Sequence, residues 1–208
     1  MPNAVHKNDM PAVFSYKDKG VVAVDTETMG LSPFRDRLCV AQLCFGDGNA
    51  HLVQFDGTDY SAPNLRAMLK DESVVKIFHF ARFDMATLKH HLNVDVANVY
   101  CTKIASYLAR TYTDAHGLKD LCGELLEVKI SKQQQSSDWG AKTLSKEQIA
   151  YAADDVLYLH RLKDRLDAML EREGRTDLAK RCFSFLPTRV ALDLAGWNEK
   201  DVFAHSLK

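Results

Sequence analysis

Apolar and polar positions fall into two regimes along the 208-residue chain. Gly20-Val21-Val22-Ala23-Val24-Asp25 is a short β-branched apolar run entered through a glycine, the pattern of a buried strand. Residues 38–45 (LCVAQLCF) predict a second strand and residues 51–55 (HLVQF) a third. Gly46-Asp47-Gly48-Asn49 between them has hairpin-turn chemistry, so the chain opens with an antiparallel meander. Helix and strand then alternate. Residues 62–69 read as a helix with Pro63 in its first turn, 74–78 as a buried strand and 81–91 as a helix. From Thr102 the pattern is almost wholly helical, over 103–110, 117–126 and one long segment from 145 to about 173. Ser145 and Gln148 are spaced to close a capping box at its start. An amphipathic stretch, 176–185, leads through Pro187 into an apolar-rich tail. Together these predict an α/β domain, a mixed sheet with the meander first, flanked by helices.

Composition narrows what such a domain can bind. At 46% apolar and 26% charged residues the chain has the make-up of one ordinary globular domain. A net charge of −1 supplies no global basic field for long duplex DNA or a membrane surface. A polyanion would be held by local contacts, which suits short substrates better than long ones. The five cysteines (Cys39, Cys44, Cys101, Cys122, Cys182) are odd in number and form no CxxC pair, so they are expected as reduced core residues. The N-terminus carries no apolar segment of signal-peptide type, and no run approaches the roughly 20 residues of a membrane span. A soluble, cytoplasmic protein with no membrane partner is expected.

Three short stretches carry chemistry. Asp25-Thr26-Glu27 ends the first strand, where alternation projects Asp25 and Glu27 to one side. An isolated DxE is well explained by a solvated turn; the place at the rim of a sheet is what makes it a candidate for a ligand crevice. His79-Phe80-Ala81-Arg82-Phe83-Asp84 sets Asp84 near a helix start, where a carboxylate also serves simply to stabilise the helix dipole. Tyr151-Ala152-Ala153-Asp154-Asp155 sets Tyr151 and Asp155 one turn apart on one helix face. Asp25, Glu27, Asp84 and Asp155 are hard oxygen donors, suited to Mg2+ or Mn2+ rather than zinc. Two such ions per site, roughly 3.5–4 Å apart, would clamp the attacking and leaving oxygens of a phosphodiester displacement. Tyr151 would then orient the water or help take its proton.

In this order and separation, DTET, HFARFD and YAADD resemble the three motifs of the DEDD 3′→5′ exonucleases, in the branch with tyrosine in the third motif. SKQQQSSDW (131–139) and LSKEQIAYAADDVLYLHRL (144–162) resemble the ribonuclease D subgroup. The stretch ARTYTDAHGLKDLCGELL (109–126) and the FAHS tail are similar to the nanoRNase C branch, bacterial enzymes that finish off very short RNAs. The resemblance covers nearly the whole chain. It implies an RNase-H-like, DnaQ-like exonuclease fold with Asp25, Glu27, Asp84 and Asp155 as metal ligands and Tyr151 positioning the nucleophilic water. It implies release of nucleoside 5′-monophosphates from oligoribonucleotides, dinucleotides above all. A general exonuclease on DNA or longer RNA is the alternative, and a silent nucleic-acid-binding scaffold a more distant one.

Candidate substrate contacts are Thr26 and His79 beside the motifs, Leu31 as a wedge between bases, and Phe80 and Phe83 as stacking faces. Arg110, Tyr112, His116, Lys132 and Gln134 are the cations and polar groups available to cap a 5′ phosphate. For each of these a packing or solvated role competes. Residues 132–138 read as a mobile loop near the site. The segment from about 174 to 208 holds more apolar residues than a small monomer hides easily, so self-association is expected. The family resemblance implies a ring-like homo-oligomer such as an octamer.

Overall fold

A computed structural model describes residues 3–12, 16, 18, 20–131 and 133–205. Six strands form one sheet: β1 (Ala4–Lys7), β2 (Val21–Thr28), β3 (Leu38–Cys44), β4 (Ala50–Gln54), β5 (Val75–Phe78) and β6 (Val99–Cys101). Their spatial order is β1-β4-β3-β2-β5-β6. The meander β2-β3-β4 is antiparallel, as expected from its turn residues, whereas β5 lies parallel to β2, β6 to β5 and β1 to β4. The mixed sheet flanked by helices is the RNase-H-like arrangement the motifs implied. β2 and β5 therefore end at the same edge of the sheet, and β2 keeps Asp25 opposite Gln42 of β3 before its register shifts between Glu27 and Thr28.

Among the described residues seven α-helices are present, α1 (Pro63–Lys70), α2 (Ala81–Leu92), α3 (Thr102–Ala109), α4 (Leu118–Leu126), α5 (Lys146–Leu157), α6 (Leu159–Arg172) and α7 (Thr176–Leu192), the last running into a short π-helical turn at Asp193–Trp197. The capping box at Ser145 is formed in both directions, with Gln148 N–H to Ser145 Oγ at 3.2 Å and Ser145 N–H to Gln148 Oε1 at 2.9 Å. All seven residues of β3 are buried, consistent with a central strand.

Three expectations change. The single helix over 145–173 is two helices that meet at Tyr158. The break lets α5 lie on β2, β3 and β4 while α6 turns to pack on α3, α4 and α7 as well as on β2 and β5. Pro187 does not end the last helix but stands inside α7. Phe183, Leu186 and Val190 are buried at helical spacing on either side of it, so packing outweighs the hydrogen bond that proline removes. Strands β1 and β6, four and three residues long, join the sheet edges although the sequence did not signal them.

Candidate active site

Strand β2 brings Asp25 and Glu27 to the edge where β2 and β5 end, and α5 brings Asp155 with Tyr151 one turn before it. One oxygen each of Asp25, Glu27 and Asp155 lies within 4.8 Å of the others. Asp84, in the first turn of α2, stands outside that trio and is 3% exposed. The Thr26 hydroxyl donates to its Oδ1 at 2.7 Å.

Burial and mutual repulsion work together here. Burial, followed by the charges of Asp84, Asp155 and Glu27, holds Asp25 well above the usual carboxylate range. Burial with Asp155 and Asp84 raises Glu27 to about 9. Burial raises Asp84 to about 7 despite the Thr26 hydrogen bond, and burial with Asp154 beside it raises Asp155 to about 7. The Tyr151 phenol is pushed up by burial first, then by Asp155, Glu27 and Asp25. Among the described residues no lysine, arginine or histidine forms an ion pair with any of the four carboxylates. Clustered like charges without a cationic side chain are unfavourable unless protonated or bridged by a cation. The donor set, all carboxylate and uncompensated, fits hard divalent ions such as Mg2+ or Mn2+.

The surroundings hold this arrangement in place. The Trp139 ring lies 6.0 Å from that of Tyr151 and is itself buried. Gln148 Nε2 donates to Asp138 O at 3.0 Å, Arg37 Nη2 to Gly140 O at 3.0 Å and Gln54 Nε2 to Ala141 O at 2.9 Å. Of the loop expected to be mobile, 132–138, Ser137 and Asp138 are held by Gln148 of α5, and just beyond it Gly140 and Ala141 are held by Arg37 and by Gln54 of β4. On the other side, Arg82 of α2 grips Asp193 with Nε and Nη2, at 2.5 and 2.8 Å, and reaches Asn198 O at 2.7 Å. The C-terminal segment therefore braces the helix that carries Asp84.

The remaining sequence candidates scatter. Leu31 is 85% exposed just beyond β2. Phe80 adopts a left-handed backbone, φ 70°, at the N-cap of α2; the residue is 45% exposed and Lys103 Nζ lies 4.5 Å from the ring centroid. With Ile104, Tyr107, Phe185 and Leu186 it lines an apolar cavity of about 460 Å³. Phe83 is half-buried. His79 Nδ1 sits 2.9 Å from Thr102 Oγ1, which donates to Phe78 O and so anchors the start of α3. Arg110 differs most from its expected role as a phosphate cap. It has no exposed surface, and its guanidinium donates to Ser106 Oγ at 3.0 Å, Ala115 O at 2.8 Å and the Glu124 carboxylate. That network organises the 110–117 loop instead of presenting a free cation. Tyr112 is exposed but gives its hydroxyl to Glu124 Oε1 at 2.6 Å. Gln134 is half-buried in a turn, its carbonyl accepting from Ser137 N–H. Lys132 lies outside the described residues.

Gln42 was not singled out in the sequence. It is fully buried in β3, and its Nε2 lies 3.4 Å from Asp25 Oδ2. The available signal was one amide in the otherwise apolar run LCVAQLC.

Comparison with known proteins agrees with this geometry. A family described as 3′-5′ exonuclease matches residues 3–171. The ribonuclease D of Acidiphilium cryptum is 38% identical over 159 residues, covering 75% of this chain and 39% of that protein. The chain thus spans about two fifths of the length of the curated relatives it matches. Among solved structures, Brucella melitensis NrnC is 58% identical with a TM-score of 0.95, covering 99% of this chain and 100% of that one. The same protein bound to pGG is 56% identical at TM-score 0.94, and with bound Mg2+ it is likewise 56% identical at TM-score 0.94, each with 99% and 100% coverage.

Proposed function

Since the chain belongs to the 3′-5′ exonuclease family, we propose that it is a metal-dependent exoribonuclease that hydrolyses short oligoribonucleotides, dinucleotides above all, to nucleoside 5′-monophosphates. The observation that carries this reading is the cluster of Asp25, Glu27 and Asp155, with Asp84 held beside it and none of the four ion-paired to a cationic side chain among the described residues. Its likeness in sequence and shape to a Brucella protein solved both with pGG and with Mg2+ supports the substrate and ion classes.

Asp25, Glu27, Asp84 and Asp155 would hold two Mg2+ or Mn2+ ions, Asp25 being the carboxylate electrostatically coupled to all three others. When bound, such ions polarise the scissile phosphate, activate a water and stabilise the leaving oxygen. The chain's own groups do the rest. The Tyr151 hydroxyl, one turn before Asp155 on α5, is placed to position the water or help take its proton. Leu31, exposed next to motif one, wedges against a base, and Phe80 offers its ring for stacking. The left-handed backbone at Phe80 is strain of the kind that persists at functional positions. The net charge of −1 favours substrates held by such local contacts over long polyanions.

The segment from about 174 to 208 lies beyond the family match and leaves Leu178, Phe185, Trp197 and Phe203 exposed. We assign this surface to self-association, with a closed homo-oligomer such as an octameric ring as the expected form. No helix among the described residues is long and apolar enough to cross a membrane. Four free cysteines in the core and a fifth half-buried suit a reducing cytoplasm.

Product analysis tests the reaction. Incubation of pGG with the protein and Mn2+ should yield GMP as the sole product, with none formed in excess chelator or by Asp25→Ala. A product bearing a 3′ phosphate, or turnover that survives Asp25→Ala, would contradict it.

A further inference from the structure

We infer that Gln42 is a positioning residue of the carboxylate site, whose amide fixes Asp25 and determines which of its oxygens is left for the ions. The inference rests on reading the cluster as a divalent-cation site.

β3 is buried along its whole length, and every residue in it except Gln42 is apolar. A leucine at position 42 would fit that pattern, whereas a buried amide is unfavourable unless its polar atoms are satisfied. Gln42 faces Asp25 across the antiparallel register, and its Nε2 reaches Asp25 Oδ2 at 3.4 Å. Its Oε1 has no hydrogen-bond partner in the protein. The amide is therefore not closing an internal network. It is oriented by Asp25, because the reverse orientation would set a carbonyl oxygen against a carboxylate. The outward cost is one buried acceptor, which an ordered water can satisfy.

A neutral donor here has a chemical consequence that a cation would not. Lysine or arginine in the same place would pair with Asp25 and compete with the ions for the cluster. Gln42 removes the freedom of one oxygen and leaves the charge intact. Thr26 does the same for Asp84. Two of the four carboxylates thus each give one oxygen to an uncharged donor, which orients the other before any ion arrives.

Gln42→Met replaces the amide with an apolar chain of similar length. Gln42→Asn keeps an amide but withdraws it by one methylene. Calorimetric titration of Mn2+ into the full chain, paired with kcat and KM for pGG at saturating Mn2+, separates the possibilities. Either variant should bind Mn2+ about tenfold or more weakly, the loss seen when groups that orient metal ligands are removed. KM at saturating ion should stay unchanged. If a folded variant binds Mn2+ as tightly as the parent and only its metal-free melting temperature moves, Gln42 is a packing residue and the inference fails. If the parent chain itself binds no Mn2+, the fault lies in the metal-site reading beneath it.

Discussion

The Thr26 hydroxyl donates a 2.7 Å hydrogen bond to Oδ1 of Asp84, joining strand β2 to the first turn of α2 across 58 residues of chain. Both groups are buried, so the bond supports the charged form of Asp84 against its desolvation. Thr26→Val keeps the shape and removes the donor. It should destabilise the protein by about 1–3 kcal/mol at pH 8 in urea unfolding, the cost of leaving a buried carboxylate short of a partner. It should also reduce kcat about tenfold and move the acid limb of the rate profile to higher pH. An unchanged acid limb would show that Asp84 does not depend on Thr26.

The raised carboxylates make a signed prediction about stability. A carboxylate with a raised folded-state value binds its proton more tightly when folded, so it favours folding below its unfolded value of about 4 and loses that contribution as pH rises through the folded value. Asp84 and Asp155 lose theirs near 7, and Glu27 near 9. The metal-free protein should therefore melt at progressively lower temperature between pH 5 and pH 9. Mn2+ competes with those protons, so the rise in melting temperature it causes should grow over the same range. Differential scanning fluorimetry with and without Mn2+ measures both. A metal-induced shift that shrinks with pH would count against the cluster as the binding site.

Function and stability should part company at Asp155. Asp155→Asn removes one charge from a repelling group, and it should raise the metal-free melting temperature at pH 8 by about 2–4 °C, the shift one kcal/mol gives a chain of this size. The same variant should lose activity by on the order of a thousandfold. Loss of activity with a lowered melting temperature would instead indicate damage to the fold.

How much of this was readable before the structure depends on how local each signal is. Gly46-Asp47-Gly48-Asn49 fixed the hairpin because turn chemistry is contained in a few residues, and Ser145 with Gln148 marked a helix start for the same reason. The DxE alternation placed Asp25 and Glu27 on one side of a strand without tertiary information. What failed was set by distant partners. Val99–Cys101 is too short to show a period and becomes a strand only by pairing with β5. The break at Tyr158 lets α5 lie along β2, β3 and β4 while α6 turns toward α3, α4 and α7 and touches the sheet at β2 and β5. Arg110 looked like a spare cation because its partners, Ser106, Ala115 and Glu124, are gathered by the fold. Gln42 became meaningful only when the register put it opposite Asp25.

Leu31 tests the substrate side separately. It is 85% exposed, so Leu31→Ala should change stability by less than about 0.5 kcal/mol. If it wedges against a base, KM for dinucleotides should rise severalfold with little change in Mn2+ affinity. Unchanged KM would return Leu31 to the role of a solvent-exposed loop residue.

The central claim, short-RNA hydrolysis at the carboxylate cluster, is tested most directly by chain length. Matched 5′-labelled RNAs of two to seven nucleotides, with a parallel DNA set, would be followed with Mg2+ and with Mn2+, using Asp25→Ala as the blank. The expected result is that the RNA dinucleotide is consumed fastest and that only the parent protein acts. Equal or faster loss of the seven-nucleotide RNA, or of DNA, would contradict it and make the protein a general 3′→5′ exonuclease.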